Sequence, residues 1–221
     1  MKASVAGQDT RSQLISAAER LFAERGVDGV SLNEINRDAG QRNASALQYH
    51  FSDRAGLLKA IMDKHGPDVD ARRDVLLQQY RDAGQADLRA LAAALVLPVA
   101  AKLSDPDGGR EFLRIFAELV NRPDPQFDVL MNEAIGVGIL TWRECVDPLL
   151  SRESVEIFHT RFAAIRFTHV ELAARAAARP RADDRLFTSR LIDLVAAVLA
   201  SPVSDQTTEL LRQRNTRRRL T

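Results

Sequence analysis

Residues 31–51 read SLNEINRDAGQRNASALQYHF and contain two short helical patterns separated by a glycine. Ser31 and Glu34 stand three positions apart, the spacing of a capping box at a helix start. Gly40 permits a tight turn after that helix, and a third helix is predicted over about 43–49. Two short helices joined by a tight turn are typical of a helix-turn-helix, whose second helix enters the major groove of DNA.

The segment before this stretch predicts the remaining helix of a three-helix unit. Residues 10–25 place apolar side chains at helical spacing along one stripe. Thr10 and Gln13 fit a capping box at its start, and Gly26 fits the position just past its end. The first helix is therefore expected to pack across the other two.

The rest of the chain also reads as helix. Its patterns predict helices at about 53–64, 68–83, 87–103, 109–121, 125–147, 152–179 and 183–201. Pro98 interrupts one apolar pattern, so it either kinks one helix or divides two. No run alternates as a strand, and no phosphate-binding glycine motif occurs. The polar end of the chain is expected to fray.

The fold class is therefore all-α, with an N-terminal three-helix unit followed by a larger helical body. We expect the domains to be a helix-turn-helix domain at 8–55, a larger helical domain at 56–203, and a polar tail at 204–221. A chain of 221 residues is long enough for two such cores.

The composition excludes several classes of protein. The chain has one cysteine, which excludes an internal disulfide and a cysteine-rich metal site. Its longest apolar stretch is interrupted by charges and a proline, and its N-terminus lacks the apolar core of a signal peptide. We therefore expect a cytoplasmic protein that makes no contact with the membrane. The formal net charge of +1 does not by itself indicate a nucleic-acid partner.

Polar side chains on the third predicted helix are suited to contact DNA. The apolar positions of the helix-turn-helix point inward, which leaves a set of side chains directed partly outward. Each can hydrogen-bond to a base edge or a phosphate. They are Arg42, Asn43, Ser45, Gln48 and Tyr49. The alternatives are a solvated surface charge for Arg42 and helix capping for Asn43 and Ser45.

Three segments together resemble the TetR family of bacterial transcriptional regulators. They are LISAAERLFAERGVDGVSLNEINRDAG at 14–40, YHF at 49–51 and SDRAGLLKAI at 52–61. The resemblance covers roughly residues 10–62 in order, and beyond them only chain length and helical character agree with the family. It implies a DNA-binding head and a ligand-binding, dimer-forming body.

The resemblance also implies roles for individual residues. Tyr49 and His50 would contact phosphates, and Arg54 would hold a phosphate at the next helix start. Thr10 and Ser31 would cap helices whose N-termini face the sugar-phosphate backbone, whereas Phe51 would pack between the two domains. For the Tyr-His pair alone, the alternative is partly buried packing.

Two features depart from the family pattern. The chain is one residue longer between Gly40 and Tyr49 than the common family spacing, which affects the register of the recognition helix. The position before Tyr49 is often aromatic in the family and is Gln48 here. A glutamine can bond adenine through two hydrogen bonds, so Gln48 is a candidate for reading a base.

A small-molecule pocket is expected among the middle helices of the body. Large apolar side chains with a few polar groups between them favour an apolar or aromatic effector. The candidates are Phe112, Phe116, Met131, Ile135, Trp142, His159, Arg166 and His169. Packing of the apolar members within the core is the alternative for each.

The last two long helices, 152–179 and 183–201, are expected to form a homodimer. Alanines and other apolar residues there would let two backbones approach closely and build a four-helix interface. The alternative is that these residues pack inside one subunit. A dimer would present two heads about 34 Å apart to a palindromic operator.

No grouping of residues in the sequence meets the requirements of a catalytic site. Cys145 has no activating partner nearby in the sequence, and His65, Asp68 and Asp70 straddle a Gly-Pro pair and lack a second histidine at helical spacing. We expect no enzyme activity, no cofactor and no metal. The favoured hypothesis is a homodimeric repressor released from a palindromic operator by a small effector. The alternative is an all-helical enzyme or ligand carrier without specific DNA binding.

Overall fold

The computed structural model describes residues 2–41, 43, 46–122, 137–157 and 159–220. Every regular element within these ranges is a helix, so the predicted all-α fold is confirmed. The first four α-helices are α1 (Lys2–Arg25), α2 (Leu32–Asp38), α3 (Ala46–Phe51) and α4 (Arg54–Ala83). The body continues with α5 (Leu88–Ala100), α6 (Gly109–Val120), α7 (Val137–Val146), α8 (Arg152–Ile157), α9 (His159–Ala177), α10 (Arg185–Leu199) and α11 (Asp205–Leu220).

Helix α1 is longer than its sequence pattern predicts. It begins at Lys2, so Thr10 lies inside the helix and the prediction that Thr10 caps it is wrong. Its apolar stripe is buried, with Leu14 and Phe22 almost fully inaccessible to solvent. The helix ends before Gly26, whose φ of +81° is costly for residues with a side chain.

Helix α4 runs without interruption through Gly66 and Pro67, so the prediction of two separate helices at 53–64 and 68–83 is wrong. A proline inside a helix removes one backbone hydrogen bond and costs about 3 kcal/mol. Buried residues on both sides of it, including His65 and Val69, supply packing that offsets this cost. As a result, one helix continues through the expected domain boundary at residues 55 and 56.

Helix α5 lies at the centre of the body and packs against α4, α7 and α10. It continues past Pro98 to Ala100 and is followed by a 3-10 turn at Ala101–Ser104. Proline therefore does not divide this element. Its start is capped by Asp87, whose carboxylate accepts hydrogen bonds from two backbone amides in the first turn.

The remaining elements agree with the sequence pattern where they are described, with two exceptions. The helix predicted at 152–179 is described as α8 and α9, on either side of residue 158, which lies outside the described residues. The C-terminal tail, which was expected to fray, forms α11. Leu211 is buried at its inner side, and Asn215 Nδ2 donates a 2.6 Å hydrogen bond to Glu156 Oε1 on α8. A short apolar contact and a polar anchor are therefore enough to hold a strongly polar helix against the body.

None of the helices in the described ranges is both long enough and apolar enough to cross a membrane.

Candidate nucleic-acid interface

The start of α2 is fixed by the predicted capping box. Glu34 N donates to Ser31 Oγ at 3.2 Å, and Ser31 N donates to Glu34 Oε2 at 2.8 Å. The bond from Ser31 N, a second from Ser31 Oγ to the same oxygen at 2.8 Å and a third from Arg25 lower the pKa of Glu34 to about 2. The carboxylate is therefore ionised at neutral pH and completes the cap.

The turn between α2 and α3 is held by Asn36, which sequence reasoning did not single out. Its side chain is buried, and Oδ1 accepts a 3.1 Å hydrogen bond from Leu47 N at the start of α3. Its carbonyl accepts a second bond, of 3.0 Å, from Gln41 N. Asn36 could have been identified from the sequence, because it is a polar residue on the inner face of a short amphipathic helix and buried amides need hydrogen-bond partners.

Helix α3 starts at Ala46, so the prediction that it begins at Asn43 is wrong. Leu47 and Phe51 are four residues apart and both point into the core. That register leaves Gln48 exposed and turns Tyr49 outward, with 85% of its surface accessible. The helix extends two residues beyond its predicted end at Tyr49, so the whole Tyr-His-Phe run lies inside it.

The three rings of this run divide between surface and core. His50 is half-buried, and its ring meets that of Tyr49 edge-on with centroids 5.1 Å apart. Phe51 is buried as expected, and the guanidinium of Arg11 lies 5.2 Å above its ring. An exposed phenol of this size has no packing role here, which makes Tyr49 available to a partner.

Arg54 has partners that sequence reasoning missed. Its guanidinium donates to the carbonyl of Val30 at 2.8 Å and to that of Val27, and it lies 5.8 Å above the ring of Phe22. It thereby closes the loop between α1 and α2 from the start of α4. Sequence spacing could not reveal these bonds because they join residues more than twenty positions apart.

A second residue holds the same loop from the body. The carboxylate of Glu118, on α6, accepts from Val27 N at 3.1 and 3.2 Å. Arg122 of the following turn forms an ion pair with Asp28. The loop that precedes α2 is therefore bound directly to α6, which connects the three-helix unit to the body.

A buried polar cluster makes a further connection between α1 and the body. Glu19 is 2% exposed, and its two oxygens lie 2.8 Å from His65 Nε2 and 2.9 Å from Lys64 Nζ. Lys64 also bonds Asp107 at 2.8 Å. Gly108 approaches so closely that a Cβ there would overlap the Glu19 carboxylate. These contacts fix the position of α1 against α4 and the residues before α6.

The other candidates for DNA contact are placed as follows. Thr10 is half-buried within α1, and Asn43 is exposed, three positions before Ala46. Arg42 and Ser45 lie outside the described residues. Ser31 therefore caps the start of α2, Asn43 precedes α3, and Gln48, Tyr49 and His50 lie on α3.

Sequence comparison identifies this three-helix region. Residues 14–61 match the family described as bacterial regulatory proteins, TetR family. Over these residues the chain is similar to TetR-family regulators. The match ends within α4, so the body is outside it.

Two curated regulators resemble the same TetR-family region. The transcriptional regulator TtgR of Pseudomonas putida is 43% identical over 56 residues, and AcrR of Shigella flexneri is 38% identical over 56 residues. Each match covers 25% of this chain and 26% of the relative. The matched region thus spans about a quarter of the length of these relatives.

Solved structures extend the likeness in fold to most of the chain. The TetR-family regulator PfmR of Thermus thermophilus matches with a TM-score of 0.53 and 17% identity, over 86% of this chain and 96% of its own. The fatty acid degradation regulator FadR of Bacillus halodurans gives 0.53 and 15%, over 86% and 98%. The body of this chain therefore has the helical fold that follows the DNA-binding domain in TetR-family structures.

The structure separates the candidates for the effector pocket. Phe112 and Trp142 are buried, and Trp142 Nε1 donates a 2.8 Å hydrogen bond to the carbonyl of Leu91, so both contribute to the core.

Phe116 and His169 stack with ring centroids 4.6 Å apart. Arg166 is exposed on α9, and its place in a pocket stays a prediction. Met131, Ile135 and the side chain of His159 lie outside what the structure describes.

Helices α9 and α10 carry exposed apolar side chains. Leu186 is 85% exposed and Val170 is 44% exposed, whereas Leu191 and Val195 are buried within the subunit. A groove of about 470 Å³ follows this face. Its lining contains Glu171, Arg181, Asp183, Leu186, Phe187, Arg190, Leu191 and Leu194. Both signs of charge flank its apolar floor.

Proposed function

We propose that this protein is a homodimeric transcriptional repressor, released from a palindromic operator by a small apolar or aromatic effector. The observation that supports it most is the exposed face of α3, where Tyr49 is 85% accessible and Gln48 beside it is also exposed. A capped, internally bonded helix that presents large polar side chains is suited to major-groove contact.

The residues have distinct roles in this proposal. Gln48 reads a base edge, and Tyr49 and His50 contact phosphates. Asn43 and the N-terminus of α2 at Ser31 approach the backbone, and Arg42 and Ser45 are proposed to contact DNA from the sequence alone. Arg54 is assigned to the α1–α2 loop instead, because its donors already serve two carbonyls there.

The proposed dimer forms through α9 and α10. In a twofold dimer the same patch meets itself, so a patch that carries both charge signs around an apolar strip can be self-complementary. The groove has such a patch, with Leu186 and Leu194 as the apolar strip and arginine and carboxylate groups around it. A four-helix interface of this kind would set the distance between the two heads.

A gel-shift titration against the promoter beside the protein's own gene tests the proposal. We expect specific binding that weakens steeply with salt, because phosphate contacts release counterions. A scrambled duplex of equal length and composition is the control. The contrary outcome is that the protein binds neither this promoter nor the promoters of neighbouring genes at low salt. In that case an all-helical enzyme or ligand carrier without specific DNA binding is the better explanation.

A further inference from the structure

Two buried polar side chains in the body have hydrogen-bonding groups that no described residue satisfies. Arg73, on α4, is 5% exposed, and its Nε has no partner although Nη1 donates to Asp70 Oδ1 at 2.8 Å. His169, on α9, is 6% exposed, and its Nδ1 also has no partner. Buried polar atoms are normally bonded, so two such groups in one region need an explanation.

The surroundings of these groups combine a close backbone approach with an aromatic wall. At Gly138, on α7, an added Cβ would lie 2.8 Å from Asp70 Oδ1 and 3.5 Å from Arg73 Cδ. The ring of Phe116 lies 4.6 Å from His169 and 5.5 Å from Phe112. Helices α4, α6, α7 and α9 therefore contribute to one region of the body.

The charges near this region leave Arg73 as the cation available to an anion. Burial, and then the charge of Arg73, lower the pKa of His169 to about 3, so this histidine is neutral at physiological pH. Burial raises the pKa of Asp70, which pairs with Arg73 through Nη1 and leaves Nε without a described partner. Asp74 also acts on Arg73, but it is exposed to solvent, which screens its charge.

We propose that Arg73 and His169 form the polar end of the effector site and that the effector is an apolar monocarboxylate. The carboxylate accepts a charge-assisted hydrogen bond from Arg73 Nε and a second from His169 with its proton on Nδ1. The apolar part of the effector lies against Phe116. This inference rests on the proposed function, because it names the chemical class of the molecule that releases the repressor.

Thermal unfolding with defined probes tests the chemistry. Sodium benzoate and sodium octanoate are compared with benzamide and with sodium chloride at equal ionic strength. We expect at least one carboxylate to raise the Tm by roughly 5 °C or more at a hundredfold excess over its Kd. Benzamide and sodium chloride should leave the Tm unchanged. Equal stabilisation by benzamide and benzoate, or none by either carboxylate, overturns the proposal.

A double variant tests the assignment of Arg73 with the same carboxylate probes. Asp70→Asn with Arg73→Met removes the ion pair and the unpartnered donor together, and a buried pair can often be replaced this way without loss of stability. We expect the Tm to stay level or rise and the response to carboxylate to disappear. A marked fall in Tm would identify Arg73 as a structural residue and contradict the proposal.

Arg72→Met is the matched control, since Arg72 is the exposed neighbour of Arg73 on α4 and pairs with Asp68. This variant should retain the carboxylate response. Gel shift with promoter DNA distinguishes the two levels of failure. Promoter binding without any carboxylate effect refutes the effector class alone, whereas absence of promoter binding refutes the proposed function.

Discussion

Tyr49 and Gln48 sit next to each other on α3 and are expected to differ in what they recognise. Tyr49 is mostly solvent-exposed, so replacing it should not disturb the fold. Tyr49→Ala should weaken binding to specific and random duplexes by similar factors, because phosphates carry no sequence information. Competition gel shifts with both duplexes would measure the two losses.

Gln48→Ala should instead relax discrimination at one base position, by about 1–3 kcal/mol. A set of operators with single base changes would locate that position. Equal losses of Gln48→Ala on specific and random DNA would show that Gln48 does not read a base.

Glu34 allows a prediction, also for a single residue, of how the stability of the protein depends on pH. Its pKa of about 2 in the folded protein lies below the ordinary value of 4.5, so folding favours the ionised form. Its contribution to stability is therefore complete above about pH 4.5 and is lost as the pH falls towards 2. Urea titrations of wild type and Glu34→Gln should show a difference at pH 7 that shrinks across this window.

Glu24→Gln, on the exposed side of α1, is the control for the loss of one carboxylate. A Glu34→Gln difference that persists unchanged at pH 2 would mean that its charge does not contribute to the cap.

At the scale of elements, the α1–α2 loop is held by donors and acceptors from two other helices. Arg54→Met leaves the carbonyls of Val27 and Val30 without this donor, and we expect a loss of about 1–3 kcal/mol in unfolding free energy. Arg54→Lys should recover little, because one ammonium replaces a fork that reaches both carbonyls.

The salt dependence of DNA binding separates this role from a phosphate contact. For Arg54→Met, the slope of log affinity against log salt should equal that of wild type under conditions where the variant is folded. A slope reduced by about 1, with unchanged stability, would return Arg54 to the DNA contacts.

Elements governed by local interactions were the predictable ones. Ser31 and Glu34 meet within one turn, so their spacing in the sequence was enough to place the start of α2. Pro67 was misleading because packing on both sides of it outweighs a local penalty. The roles of Arg54 and Glu118 depend on partners far away in the chain, and no periodicity encodes such pairs. The terminal helix was missed for the same reason, since Leu211 and Asn215 act through α8.

At the scale of the whole molecule, the exposed face of α9 and α10 determines the expected assembly. Leu186→Glu places a charge on that face, which would have to be buried in the dimer. We expect the dissociation constant of the dimer to rise at least about tenfold, since losing 1.4 kcal/mol has this effect. Sedimentation velocity over a concentration series measures it, and operator affinity should fall in parallel.

Val75→Glu is the matched control, because Val75 is also an exposed apolar residue but lies on α4. It should leave the association unchanged. A Leu186→Glu protein that sediments like wild type at every concentration would exclude this face as the interface.

The contacts of Glu118 and Gly108 with α1 and its loop limit how freely the parts of this molecule can be exchanged. Glu118 bonds a backbone amide, so it tolerates a change of side chain at Val27 but not a loop of different course. Gly108 tolerates Glu19 only because it lacks a side chain of its own. Consider a chimera that joins the three-helix unit of another protein to this body at the α3–α4 turn. Its α1 and α1–α2 loop would not match the contacts that Glu118 and Gly108 make here. Transferring residues 107–122 together with the three-helix unit would keep Gly108 with Glu19 and Glu118 with Val27.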